Sequence, residues 1–341
     1  MMKNATAAAM NLGTHLTDFL GHVERSLEKT LVDEAGAAVE PGRVDTLMGA
    51  ARHLVMGGGS KRARPLLVRL FADAVKSPEA PLVDIAVAAE LIHSASLLHD
   101  DVVDAGMFRR GRPTVNARWG NIVAVMTGDM LLSTALGKLA LIDPRLTQDA
   151  IKLVIEMTRA AIAEVEARAD LALPLDRLRF IAEGKTGALF GWCGQAAAKL
   201  STNPAAGERF EAFGRRLGVA FQIADDVRDL TGTDEGKPQY ADVQSKTPSL
   251  PILLAAQRDD ALRRKLKDAW AFSAMTPDRV KELGGIIQNS GAIEIAIERM
   301  NQEISAAIDA LGPYATAQGG AELVGWARKL GENIRPRGSV A

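Results

Sequence analysis

Three observations predict an all-α fold for this chain of 341 residues. Apolar residues recur at helical spacing, as in Leu66, Leu67, Leu70, Phe71 and Ala74, while alternating apolar and polar runs are scarce. Alanine is abundant and only two tyrosines occur, a composition that favours helix over sheet. Turn-forming clusters then cut the chain into helix-sized pieces: Gly57-Gly58-Gly59-Ser60, Arg110-Gly111-Arg112-Pro113, Ser201 to Pro204 and Thr231 to Pro238. The segments Ala88–Asp104, Ile122–Leu141 and Ala212–Leu230 are apolar on most faces, as expected of helices enclosed by others. No linker, low-complexity tract or solenoid-length repeat appears, so one helical domain over residues 1–341 is expected.

Composition excludes several functions. The chain carries 41 basic and 42 acidic residues, and a net charge of −1 offers no global field for nucleic acid or an anionic membrane surface. A single cysteine, Cys193, excludes disulfides within the chain and cysteine-built zinc sites, and it fits a reducing cytoplasm. Met1 to Leu12 has one lysine and no sustained apolar run, unlike a signal peptide. The most apolar later stretches are interrupted by Gly128-Asp129 or by charges, so no membrane span is expected.

The chemistry concentrates in two aspartate triplets, Asp100-Asp101-Val102-Val103-Asp104 and Asp225-Asp226-Val227-Arg228-Asp229. Each ends a long apolar helical segment. Positions i and i+4 share a helix face, so Asp100 stands over Asp104 and Asp225 over Asp229. Carboxylates stacked this way repel each other, and placing them on an apolar helix adds a desolvation cost. A divalent cation removes both problems. Oxygen-only ligands favour Mg2+, which commonly shares its coordination sphere with substrate phosphates.

Basic clusters complement the acids. Gly57 to Pro65 is a glycine loop that runs into a helix start, where backbone N–H groups with Lys61 and Arg64 make a diphosphate cradle. Arg109 and Arg110 follow the first triplet closely enough to meet anions held there. Gly184-Lys185-Thr186-Gly187 is no nucleotide loop, because the position that should be glycine is Arg179 and no parallel sheet is in prospect. Lys185 and Thr186 instead offer a cation and a hydroxyl to a diphosphate inside a helical bundle. His93, two turns before Asp100, shares the aspartate face and reads as a substrate contact, whereas His99 and Cys193 read as structural.

Taken together, the segments Gly58 to Pro65, Glu90 to Gly120, Gly128-Asp129, Glu183 to Phe190 and Phe221 to Pro251 resemble the trans-isoprenyl diphosphate synthases (polyprenyl synthetases). The resemblance implies an isoprenoid synthase type of fold, a bundle of long antiparallel helices around a central cavity, usually as a homodimer. It implies Mg2+-dependent condensation of isopentenyl diphosphate with an allylic diphosphate. Asp100, Asp101 and Asp104 would bind magnesium carrying the allylic diphosphate, and the second triplet, Asp225 above all, a further magnesium. Arg109, Lys185, Thr186, Gln222 and Lys237 would hold the allylic diphosphate, and Lys61, Arg64, His93 and Arg110 isopentenyl diphosphate.

Several positions depart from the family pattern. Ser60 and Tyr240 stand where glycine is usual, Val165 where glutamine is expected, and Lys246 one residue early before Ser249-Leu250-Pro251. Two alternatives remain beside the synthase: a non-catalytic subunit that modulates another prenyltransferase, and a terpene cyclase of the same architecture. Retention of both triplets argues against the first, and the Lys61/Arg64/His93 set against the second. Short-chain relatives typically place an aromatic floor one turn before the first triplet, where this chain has Ala95 and Ser96. A product longer than geranylgeranyl diphosphate is expected, with Met126, Met130 or Ile151 as candidates for the true floor.

Overall fold

A computed structural model describes residues 13–36, 45–232, 239–272 and 274–334. Lys237 and the stretch Met1 to Leu12 lie outside them. Sixteen α-helices are present among the described residues, and the only strands there are β1 (Phe108–Arg109) and β2 (Arg112–Pro113). The all-α expectation holds.

The chain divides into two compact units. The first comprises Met1–Val154, Trp192–Glu211 and Thr316–Gly320. It contains α1 (Thr14–Gly36), α2 (Thr46–Val55), α3 (Ala63–Val75), α4 (Leu82–Val103), α5 (Val115–Trp119), α6 (Asn121–Ile142) and the start of α7 (Pro144–Glu166). Helix α4 is the core element and packs most extensively on α6, with α3 and α1 also against it. Ile85, Val87, Ala88, Ala89 and Leu91 are fully enclosed, so burial covers every side of α4 rather than one stripe. Asp45 caps α2 by accepting from the Met48 N–H at 3.0 Å, and Thr114 caps α5.

The second unit comprises Ile155–Gly191, Ala212–Ala315 and Ala321–Ala341. Its elements include α8 (Leu175–Ala182), a π-helical turn (Glu183–Gly187) with the start of α9 (Ala188–Lys199), and α10 (Ala206–Thr231) from Ala212 onward, the rest of α9 and the first turns of α10 belonging to the first unit. Beyond these come α11 (Ala241–Ser245), α12 (Leu250–Arg258), α13 (Asp260–Trp270), α14 (Pro277–Gln288), α15 (Ala292–Leu311) and α16 (Gly320–Glu332). Helix α12 is almost wholly enclosed and packs on α15 and α13. Asp259 and Thr276 cap α13 and α14.

Two expectations need correction. Helices α4 and α6 are long and apolar enough to cross a membrane by length and composition. Gly128-Asp129 does not interrupt the second, because a long apolar helix absorbs one or two charges without ending. Helix α6 is also less enclosed than its apolar surface suggests: Ile122 and Leu141 are 81% and 90% exposed, and Met126 is exposed between them. The Arg110-Gly111 cluster, expected as a turn, is the two-residue turn of a hairpin. Both residues take positive φ, 52° and 71°, as the tight turn between right-twisted strands requires.

Candidate active site

The first triplet ends α4 in the first unit. Asp100 is half-buried, Asp101 is buried, and Asp104 is the exposed C-cap. The last turn of α4 has no basic residue, so these carboxylates stand where the helix dipole is already negative. That concentration of negative charge fits a divalent cation. Asp101 is engaged by Arg109, whose Nε lies 3.1 Å from both carboxylate oxygens and whose terminal nitrogen lies 2.8 Å from one. The hairpin carrying Arg109 is fixed in turn. Thr114 donates to the Gly106 carbonyl at 2.7 Å, and the Asn116 amide to the carbonyls of Gly106 and Asp101 at 3.0 and 3.3 Å.

The glycine loop lies against this hairpin. A Cβ on Gly59 would stand 3.3 Å from the Arg110 side chain, and a small cavity of about 20 Å³ has Gly57, Gly58, Asp101, Arg109 and Arg110 in its walls. Lys61 is exposed and Arg64 half-buried. Arg62 between them turns inward as the left-handed N-cap of α3. It donates to Glu24 at 2.7 and 3.0 Å, to Glu90 at 2.6 Å and to the Val55 carbonyl at 2.8 Å. The Ser60 hydroxyl joins the same network, donating to Glu90 at 3.0 Å. Two carboxylates shared by one buried guanidinium knit α1, α2 and α4 beneath the loop.

His93 projects from α4 into the field of these cations. Desolvation, followed by the charges of Arg64, Arg110, Arg109 and Arg62, holds its imidazole well below the ordinary value, so the ring is neutral at neutral pH. His99 packs on α6, 3.3 Å from the Asp129 carboxylate and 3.4 Å from the Val125 carbonyl. Cys193 is buried, and its thiol is pushed up to about 12 by desolvation. Ala95 is enclosed, whereas Ser96 is half-buried and donates to the His93 carbonyl at 2.8 Å. Met126 and Ile151 are exposed and Met130 half-buried.

The second triplet lies near the end of α10 in the second unit. Close helix packing links Thr186 to it through Gln222. A Cβ on Gly218 would stand 2.3 Å from the Gly187 Cα, so two glycines let the π-helical turn and α10 approach backbone to backbone. The glycines around Lys185-Thr186 therefore serve helix contact rather than a phosphate loop. Thr186 donates to the Gln222 side chain at 3.4 Å, and Gln222 donates to Asp226 at 3.0 Å. Lys185 pairs with Glu164, the residue beside Val165.

The three acids of this triplet differ. Asp225 is half-buried and accepts from Arg228 at 2.6 Å. Asp226 is 7% exposed and accepts from Gln222 and from the Leu250 N–H at 3.2 Å. Desolvation, partly opposed by those hydrogen bonds and reinforced by Asp225 and Asp229, raises its carboxyl to about 7. Asp229 accepts from the N–H groups of Ala241 and Asp242 at 2.9 and 3.2 Å and so caps α11. A cavity of about 330 Å³ in the second unit, walled by Leu178, Ile223 and Leu250 among others, also has Gln222 and Asp226 in its lining. Lys246 points away from the acids and donates to the carbonyls of Trp270 and Phe272 at 3.0 and 2.5 Å, closing the end of α13. Among the described residues no three of His, Cys, Asp and Glu converge into a ready metal cage.

Sequence reasoning missed Arg62, Glu90 and Glu164. Burial decides the role of Arg62, and nothing in Lys61-Arg62-Ala63-Arg64 distinguishes the inward cation from the outward ones. Glu90, a lone acid on an apolar helix, was the available signal that a buried cation must lie opposite.

Acid-ended apolar helices in an all-α chain are the marks of the prenyl diphosphate synthases, a class of prenyltransferases, and comparison with known proteins agrees. The family model described as polyprenyl synthetase matches residues 44–287. The heptaprenyl diphosphate synthase component 2 of Geobacillus stearothermophilus is 36% identical over 80% of this chain and 81% of its own. A (2E,6E)-farnesyl diphosphate synthase of Mycobacterium tuberculosis is 33% identical over 73% of this chain and 72% of its own. A solved polyprenyl synthase of Caulobacter crescentus, complexed with calcium and isoprenyl diphosphate, has the same fold: TM-score 0.84 at 24% identity, over 94% of this chain and 97% of that one. The chain belongs to the polyprenyl synthetase family.

Proposed function

We propose that this chain extends an allylic diphosphate by head-to-tail condensation with isopentenyl diphosphate, with magnesium, to a product longer than geranylgeranyl diphosphate. One observation carries the reading. Each acidic triplet ends a long apolar helix and has its own set of cations and hydrogen-bond donors within the same unit. Bound magnesium would neutralise charge on the departing diphosphate so that the allylic C–O bond can ionise. Asp100 and Asp104 hold it at the first triplet and Asp225 at the second. Asp101 acts mainly through Arg109, which it orients, and Asp226 and Asp229 form the supporting part of the second acidic face.

Arg109, Lys185, Thr186, Gln222 and Lys237 hold the allylic diphosphate. Lys61, Arg64, Arg110 and the neutral His93 hold isopentenyl diphosphate, the imidazole acting as a hydrogen-bonding group rather than as another charge. The homoallylic double bond attacks the ionised carbon, and the released diphosphate takes the final proton. The enclosed helices keep water from the cation.

The segments of the two units interleave along the chain, which supports a single functional domain in residues 1–341. The single buried thiol supports a cytoplasmic setting. A homodimer is supported by α6, whose exposed stripe runs through Ile122, Met126, Ser133, Gly137 and Ala140 with Asp129 its one charge. The small residues of that stripe suit close approach of an identical helix.

Incubating the purified chain with isopentenyl diphosphate, Mg2+ and allylic primers of increasing length tests the reading. The account expects one dominant product beyond geranylgeranyl diphosphate. A chain that stops at farnesyl or geranylgeranyl diphosphate refutes the length assignment, and one that incorporates nothing refutes the reaction. A second reading is favoured by the word "component" in the name of the Geobacillus relative: the chain works only with a different partner subunit. Turnover by the purified chain alone decides against it.

A further inference from the structure

The segment after α10 is anchored in an unusual way. Three successive N–H groups converge on Asp229: that of Tyr240 donates to its carbonyl at 3.0 Å, and those of Ala241 and Asp242 to its carboxylate at 2.9 and 3.2 Å. The position of the Asp229 carboxylate therefore depends on where α11 begins. That point is set by Tyr240, which has φ +65° and ψ 30°. The left-handed region is strained for a non-glycine residue, so something must hold the tyrosine there.

Helix α14 supplies the hold. The Tyr240 ring lies against Gly284 so closely that a Cβ on the glycine would stand 2.3 Å from a ring carbon. The phenol hydroxyl donates to the Gln288 side chain one turn further on, at 2.9 Å. Tyr240 is 9% exposed, so the ring is seated rather than loosely laid on the surface. The other end of the segment is tied to α13: the Trp270 indole donates to the Val243 carbonyl at 3.1 Å, and Lys246 closes the helix end. These residues all lie in the second unit.

We propose that Tyr240, seated on Gly284, is a positioning residue that carries the placement of α14 to Asp229 and so tunes magnesium-diphosphate binding at the second acidic face. Tyr240 touches neither metal nor substrate and acts through α11. The inference rests on the proposed function, in which that face binds metal with diphosphate. It predicts that disturbing the far side of α11 weakens metal-diphosphate binding selectively and spares the isopentenyl diphosphate set built on Lys61, Arg64, His93 and Arg110.

Calorimetric titration of the full chain with Mg2+ and inorganic diphosphate tests this without turnover, alongside KM for each substrate and thermal melting. Gly284→Ala should weaken Mg2+-diphosphate binding and raise the allylic KM about tenfold, the effect usual for removing an outer contact at a metal site. The isopentenyl diphosphate KM should stay within about twofold. Tyr240→Phe, which keeps the ring, should shift the same constants in the same direction by less. Equal change in both substrates' KM, or a lower melting temperature with unchanged binding, each overturns the inference. If the parent binds Mg2+ and diphosphate yet elongates nothing, the functional reading fails and the clamp is still judged on binding. A parent that binds neither sinks both.

Discussion

Arg64 lies in the first unit and Lys185 in the second, and under the proposed function they serve different substrates, which predicts separable effects. Arg64→Ala should raise the KM for isopentenyl diphosphate while sparing the primer, and Lys185→Ala should do the reverse. Losses of about ten- to a hundredfold are expected, since a charge-assisted contact contributes about 1.5–3 kcal/mol. Equal weakening of both substrates by both changes would reject the two-site assignment. Which acids could matter was legible in the sequence, because i, i+4 spacing alone stacks Asp100 over Asp104. Which of them are already engaged was not. Asp101 meets Arg109, Asp226 meets Gln222 and the Leu250 N–H, and Asp229 caps α11 through tertiary contacts that no local spacing encodes.

At the scale of elements, the ends of α4 and α10 were legible because long apolar helices stop at charged triplets. The hairpin and the anchored segment after α10 were not, since both depend on positive φ at Arg110 and Tyr240 rather than at glycine alone. Helix α10 also carries a pH dependence. The Asp226 carboxyl is raised to about 7 in the folded protein, well above the ordinary aspartate value, because burial disfavours its charge. An acid whose pKa is raised on folding contributes stability that is present below its unfolded value and is lost as pH rises through the folded value. The metal-free protein should therefore lose melting temperature between roughly pH 4 and 7, and Asp226→Asn should flatten that slope. An unchanged slope in the variant would remove Asp226 as its source. On α4, Ala95 is enclosed, so a larger side chain there would overpack the helix contact. Ser96→Phe is the cleaner test of product length. One helix turn, about 5.4 Å, gauges about one isoprene unit, so the variant should release a shorter product with the first condensation intact. An unshortened product would place the floor elsewhere.

For the whole molecule, the apolar stripe on α6 predicts assembly. Ile122→Asp with Met126→Lys should convert the proposed homodimer to monomer in sedimentation, and a parent that is already monomeric would refute that proposal. The central claim, that elongation needs both acidic triplets, is tested most directly by steady-state turnover at saturating Mg2+ for Asp100→Ala and Asp225→Ala. Removing either acid takes away charge stabilisation of the leaving group, so each variant should lose about a thousandfold or more in kcat with its fold intact. Near-parental turnover in either one would contradict the account.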